Sequence, residues 1–301
     1  AVYGLVQYLT GWQYIFSYAK QHHTQMATGT YINKNNYAGL LGMVLPFLLA
    51  LIWFRFPAES RGNWRRFLAL QFPGPWMVQV VLFTVVFLGL IISYSRMGLL
   101  SALAGLVTVM AIGLSQRGKR SGMALTILVL AVPLAYAAWI GLTPVVDSFQ
   151  GLATPEYQQV EVRKKIWRDT VDLVRDFPLV GTGLGTYRWA LPHYQSETVL
   201  LFVDHAHNDY LQFAAEIGIP AALLLFGALW SLVVRGAWAV AGIERTYNKI
   251  LAAGCAGALV PILVYSAAEF NLQIPANAFL YAWIAGTAAA ASQAADSART
   301  V

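Results

Sequence analysis

Residues 36–54 read NYAGLLGMVLPFLLALIWF, nineteen consecutive positions without a charged side chain. At 1.5 Å per residue such a helix rises about 28 Å, close to the thickness of a bilayer's hydrocarbon core. Apolar runs of similar length recur at 76–93, 97–114, 122–142, 213–234, 250–268 and 274–291. In lipid, backbone groups are satisfied only within helices or closed barrels, and continuous runs of this length are helical. The expected fold is an all-α polytopic membrane protein with about seven transmembrane helices and one long, partly helical loop outside the membrane.

Composition agrees. Of 301 residues, 58% are hydrophobic and 11% charged, less than half the roughly 25% charge of a soluble domain. So apolar a chain cannot remain solvated and disordered. The single cysteine, Cys255, excludes a disulfide framework within the chain. The first 18 residues are also apolar and fit the end of a further helix. With no initiator Met and no signal-peptide pattern, the sequence reads as the C-terminal part of a longer protein.

Basic residues set the orientation. Arg55, Arg61, Arg65 and Arg66 separate the first two spans; Arg117, Lys119 and Arg120 follow the third; Arg235, Arg245 and Lys249 follow the fifth, and Arg299 lies in the tail. Only Glu59, Glu244 and Asp296 oppose them, so these loops face the cytoplasm. The net charge of +6 is a topology signal; a nucleic-acid footprint would cluster on one face, and no nucleic-acid partner is expected. The division that follows is an outer segment 1–35, four transmembrane helices in 36–142, a large outer loop 143–212, and three transmembrane helices with a cytoplasmic tail in 213–301. The long loop carries six basic and nine acidic residues, and function is expected there.

Within it, 161–177 predicts an amphipathic helix whose less polar stripe is Val162, Ile166, Thr170, Leu173, Val174 and Phe177, ended by Pro178. It suits either the membrane surface or the bundle. Arg163 stands one turn before Trp167, so the two can share a face. The turn Gly181-Thr182-Gly183-Leu184-Gly185 lacks a dinucleotide fingerprint and reads as a tight return after the helix, with a phosphate cradle as the alternative. The densest cluster of chemistry is 204–212, DHAHNDYLQ, meeting the next span. His205, His207 and Asp209 with His193 offer a metal reading only if the stretch is extended; as solvated interfacial residues they need no role; as a general base, a neutral imidazole suits a sugar hydroxyl. No metal and no cofactor are expected. Arg96, at the turn of a hairpin, reads as a functional cation or as an arginine reaching headgroups. Glu269 reads as an interfacial acid, Glu216 need not face the way His207 does, and His22 and His23 suggest no specific role.

Four stretches resemble the superfamily of O-antigen ligases and Wzy-type polysaccharide polymerases, integral-membrane glycosyltransferases. They are GTYINKNNYAG at 29–39, SYSRMG at 93–98, Arg163 with Trp167 and then Phe177-Pro178 and the Gly-rich turn, and His207-Asn208 followed by Gly218. Ala221 stands where the ligase form of the last motif has a second Gly. The resemblance implies a bacterial inner-membrane enzyme whose long loop is periplasmic. Its donor would be a glycan on polyprenyl (undecaprenyl) pyrophosphate, and its acceptor the lipid A-core of lipopolysaccharide or another glycan. It implies His207 as catalytic base and Arg96 and Arg163 as ligands of the pyrophosphate. Asn208, Trp167 and His205 are expected beside them as substrate-binding residues, and membrane lipid as a partner. Polymerase is the first alternative to ligase. A transporter of the bicarbonate-uptake kind is the second, though it would want charges at mid-membrane.

Overall fold

The computed structural model describes residues 1–55, 75–116, 155–196 and 202–299. The expected span at 122–142 and the basic residues Arg61, Arg65, Arg66, Arg117, Lys119 and Arg120 lie outside them. The described elements are helices apart from one small hairpin. In order they are α1 (Val2–Thr10), strands β1 (Tyr14–Ile15) and β2 (Tyr18–Ala19), α2 (Lys34–Arg55), α3 (Pro75–Ile91), α4 (Arg96–Gln116), α5 (Pro155–Asp176), α6 (Tyr187–Ala190), α7 (Asp209–Ile217), α8 (Ile219–Gly242), α9 (Thr246–Tyr265) and α10 (Pro275–Arg299). The strands pair antiparallel, Tyr14 with Ala19.

Among the described residues four helices are long and apolar enough to cross a membrane: α2, α4 as far as Ser115, α8 and α9. The apolar part of α3 is shorter, Met77–Ile91. The multi-pass membrane character of the chain is thus visible in its helices. α2 and α9 are the central pair. α9 packs on α2, α4, α8 and α10, and α2 also meets α3 and α4. Small and proline residues let them approach: a Cβ added to Gly105 of α4 would lie 2.7 Å from the Gly257 carbonyl of α9, and equally close to Pro46 of α2 and Pro261 of α9. Around this crossing Leu45, Leu49, Ile52, Trp53, Leu106 and Leu259 are wholly or almost wholly buried.

One expected span is interrupted. Instead of a continuous helix over 213–234, α7 ends at Ile217 and α8 starts at Ile219, with Gly218 between them at φ 81°. The cause is the neighbouring Gly-rich turn. Its amides donate to the end of α7, Thr182 N to Ala215 O at 2.9 Å and Gly183 N to Glu216 O at 2.8 Å, while Ile219 N donates to Pro178 O at 2.8 Å. A Cβ on Gly218 would strike the Leu179 backbone, and one on Gly181 (φ 67°) the Glu216 backbone. The two glycines form a backbone clasp, and two of the turn's amides are spent on it rather than turned toward a phosphate.

The described parts of the long loop make their own small core. Ile166, Leu173, Tyr187, Leu191, Val203, Ala206 and Ala215 are buried together, so the stripe of α5 turns inward on the loop and α7. Thr170 is also buried and pairs with the Tyr187 hydroxyl at 2.6 Å. Phe177, at the end of the stripe, is exposed.

Candidate active site

α2 and α4 begin, and α9 ends, at one end of the bundle, where α7 also meets them. Arg55, Arg245 and Lys249 belong to the opposite ends of α2 and α9. The centre of the first end is the loop after α9, Ser266 to Phe270, and every residue of it from Ser266 to Glu269 is held by a partner. Asp209 N donates to Ser266 O at 2.8 Å, and the Asp209 carboxylate accepts from Ser266 Oγ at 2.9 Å and Leu272 N at 3.1 Å. Asn208 caps α7 by accepting from Leu211 N, and its Nδ2 donates to Ala267 O at 3.1 Å. Arg163 Nη1 donates to Ala268 O at 3.0 Å.

The loop presents Glu269, 1% exposed, at the meeting point. Arg163 Nη2 donates to Glu269 Oε1 at 2.6 Å, and Asn35 Nδ2 to the same oxygen at 2.5 Å. His207 Nδ1 lies 3.2 Å from Oε2. Burial raises the pKa of Glu269, but the His207 hydrogen bond and the Arg163 charge outweigh it and leave the carboxyl below its ordinary value. An ionised carboxylate only accepts, so Nδ1 of His207 is the donor to Glu269, and in the neutral tautomer this contact selects, Nε2 is the nitrogen with the lone pair. This is the arrangement that prepares an imidazole to act as a base.

His207 is held in the left-handed region at φ 49°, a strained conformation that costs about 1 kcal/mol or more and persists where surroundings enforce it. Here they do. Ala206 is buried with its N bonded to Gln212 Oε1 and its O to Trp167 Nε1 at 2.9 Å, while Asn208 is fixed as the cap. Trp167 therefore reaches the backbone before His207, and Arg163 reaches the carboxylate behind it. His205 stacks on Phe270 with ring centroids 4.3 Å apart, and His207 meets the same ring edge-on at 4.8 Å. Burial lowers the pKa of His205.

Arg96 opens α4, directly after Ser95, whose hydroxyl donates to Asn35 Oδ1 at 2.9 Å. Arg96, Asn35, Arg163 and His207 thus belong to one end of the bundle. Asp209 turns toward Ser266 and Leu272, away from a common centre with His205 and His207, and among the described residues no group of three His, Cys, Asp or Glu side chains has a metal-holding arrangement.

Sequence reading takes Glu269 for an interfacial acid and gives Asn35 no role of its own, yet both are central in space. Their signal is faint: a lone acid in a five-residue link, and one Asn in a run of three. It also passes over His23. Burial, then Lys34, His22 and Lys20, push that imidazole down to about 4, with Glu269 pulling the other way. The outer segment therefore adds basic groups within electrostatic reach of the same centre.

Residues 79–226 match the family model described as O-antigen ligase. That stretch includes Arg96, Arg163, Trp167, His205, His207 and Asn208. No curated protein matches the chain.

Proposed function

We infer, from the match of residues 79–226 to the O-antigen ligase family model, that the protein transfers a glycan from a polyprenyl-pyrophosphate donor to a lipid or glycan acceptor at the periplasmic face of the inner membrane. The observation that carries this reading is Glu269, one buried carboxylate joined to both His207 and Arg163. A base and a phosphate-binding cation are thereby held in fixed relation, as displacement of a pyrophosphate requires.

In the proposed reaction, Nε2 of His207 takes the proton of an acceptor hydroxyl as its oxygen attacks the anomeric carbon. The new C–O bond forms, the bond to the pyrophosphate oxygen breaks, and the electron pair leaves with the pyrophosphate. Glu269 stabilises the imidazolium that results, and Arg96 and Arg163 receive the departing charge. Arginine suits that task because its planar fork matches phosphate oxygens and stays charged. Asn208 holds the backbone after His207, Trp167 the backbone before it, and His205 stands on the acceptor side. Each well-placed donor to the leaving group is worth roughly 3–4 kcal/mol, so Arg96→Ala or Arg163→Ala should cost about 100-fold or more in rate.

The orientation rests on charge: the site end faces away from Arg55, Arg245 and Lys249, and basic ends face the cytoplasm.

The test is complementation of a host deleted for the gene by the full-length protein, wild type or His207→Ala, with envelope polysaccharide run on a gel. Wild type should restore the glycan pattern and His207→Ala should not. Long carrier-linked chains accumulating in the deletion mean ligase, and single carrier-linked repeat units mean polymerase. Full restoration by His207→Ala at normal expression would remove the histidine from the base role.

A further inference from the structure

His207 also lines a cavity of about 290 Å³ whose wall does not include Glu269. Val162 and Ile166 of α5 form its apolar floor, Phe202 and Phe270 give it two aromatic walls, and Asp204, His205 and His207 supply its polar groups. Pockets of roughly 300–1,000 Å³ enclose drug-sized molecules, so this one suits about one ring.

Its charge identifies the ring. The lining holds a carboxylate and neither Lys nor Arg, whereas Arg163 of the same helix turns the other way to Glu269. A pyrophosphate would meet Asp204 in the wall, and the arginine near it, Arg188, is already engaged with Asp204 and Phe202. A neutral polyhydroxylated ring meets what it needs: an aromatic face for its C–H surface, a carboxylate that accepts from hydroxyls, and an imidazole beside it. Phe202 is 61% exposed, and the Arg188 guanidinium packs over its ring at 5.5 Å, so the cavity has the use of the other face. The same arginine holds Asp204 at 3.5 Å, fixing acid and aromatic together at the rim. Phe270 is fixed by its two histidines.

We propose that this cavity is the acceptor subsite: it seats one sugar ring between Phe202 and Phe270, with Asp204 and His205 on its hydroxyls and the reacting hydroxyl toward His207. The assignment rests on His207 as the base and divides the site in two, with phosphate recognition on the arginine side and sugar recognition on the aromatic side. It makes Phe202 and Asp204 determinants of acceptor specificity, although neither touches the Arg163–Glu269–His207 chain.

The experiment measures initial transfer rates of the full-length protein in detergent, with an undecaprenyl-pyrophosphate-linked repeat unit as donor. In one arm the acceptor is the host's lipopolysaccharide core, and in the other the free repeat-unit oligosaccharide. Phe202→Ala and Asp204→Asn should each raise the acceptor KM about ten-fold in the arm that reacts and leave the donor KM within two-fold. Unchanged acceptor KM in both variants, or a rise in donor KM alone, overturns the subsite. His207→Ala, run in parallel, keeps the failures apart. If it transfers at the wild-type rate, the base reading falls. If it is inactive while both rim variants behave as wild type, only the acceptor subsite falls.

Discussion

Asp209 and Glu269 are both carboxylates with 1% or less of their surface exposed, and both bear on the same five-residue loop. Their surroundings drive them in opposite directions. Asp209 meets only neutral donors, Ser266 Oγ and Leu272 N, and its Oδ1 has no hydrogen-bond partner. Burial therefore wins and pushes its pKa up to about 7. Glu269 meets a guanidinium, an amide and an imidazole, and the imidazole and guanidinium bring it below its ordinary value in spite of burial. Burial alone does not decide the state of an acid; the charge of its partners does. Asp209 fastens the loop, and Glu269 uses the loop as a platform for chemistry.

The contrast breaks most sharply at Glu269. Glu269→Ala leaves Arg163 facing an empty site and His207 without its orienting acceptor. Transfer should fall by about four orders of magnitude, as expected when a catalytic imidazole loses its carboxylate, and stability by about 3 kcal/mol, the low end for a broken buried pair because Arg163 keeps a quarter of its side chain exposed. Reconstituted activity and thermal unfolding in detergent read the two effects. Next comes Arg163→Lys, which keeps the charge but not the fork that spans Ala268 O and Glu269. About a 100-fold loss in rate with a normal unfolding temperature is expected; a wild-type rate would mean that only the charge matters.

Asp209→Ala should act on stability rather than chemistry. It removes the acceptor of Ser266 Oγ and Leu272 N, for a loss of about 2 kcal/mol. Asp209→Asn, which resembles the protonated acid, should cost less. The same pair separates by pH. The folded pKa of Asp209, about 7, lies above its ordinary 3.8, so its contribution is complete below 3.8 and is lost as pH rises through 7. That of Glu269 lies below its ordinary 4.5, so its contribution is present above 4.5 and is lost as pH falls through the folded value. Asp209→Asn should flatten the fall in unfolding temperature between roughly pH 4 and 7, and Glu269→Gln the fall on the acid side. The smallest effect belongs to Ser266→Ala, about 0.5–1 kcal/mol with transfer nearly unchanged.

Much of the helical frame is legible in the sequence because hydrophobic run length is a local property. Runs at 36–54, 97–114 and 250–268 correspond to α2, α4 and α9 within a few residues. The run at 213–234 misleads in one respect: it hides the break at Gly218. That break comes from Pro178, Thr182 and Gly183, some forty residues earlier, and leaves the local hydropathy unchanged. In the site, Arg163 and His207 stand out by residue type in an apolar chain, whereas Glu269 does not. An acid at a helix end is ordinary until three other segments place a guanidinium, an amide and an imidazole against it.

The sequence by itself determined that this chain is a set of membrane-spanning helices with its polar chemistry gathered in a few short stretches, because spans and charge asymmetry are written residue by residue. Only the tertiary structure decided which of those polar residues share a centre. A buried carboxylate is stable only where its partners converge, and Asn35, Arg163, His207 and Glu269 are brought together from positions up to 234 residues apart.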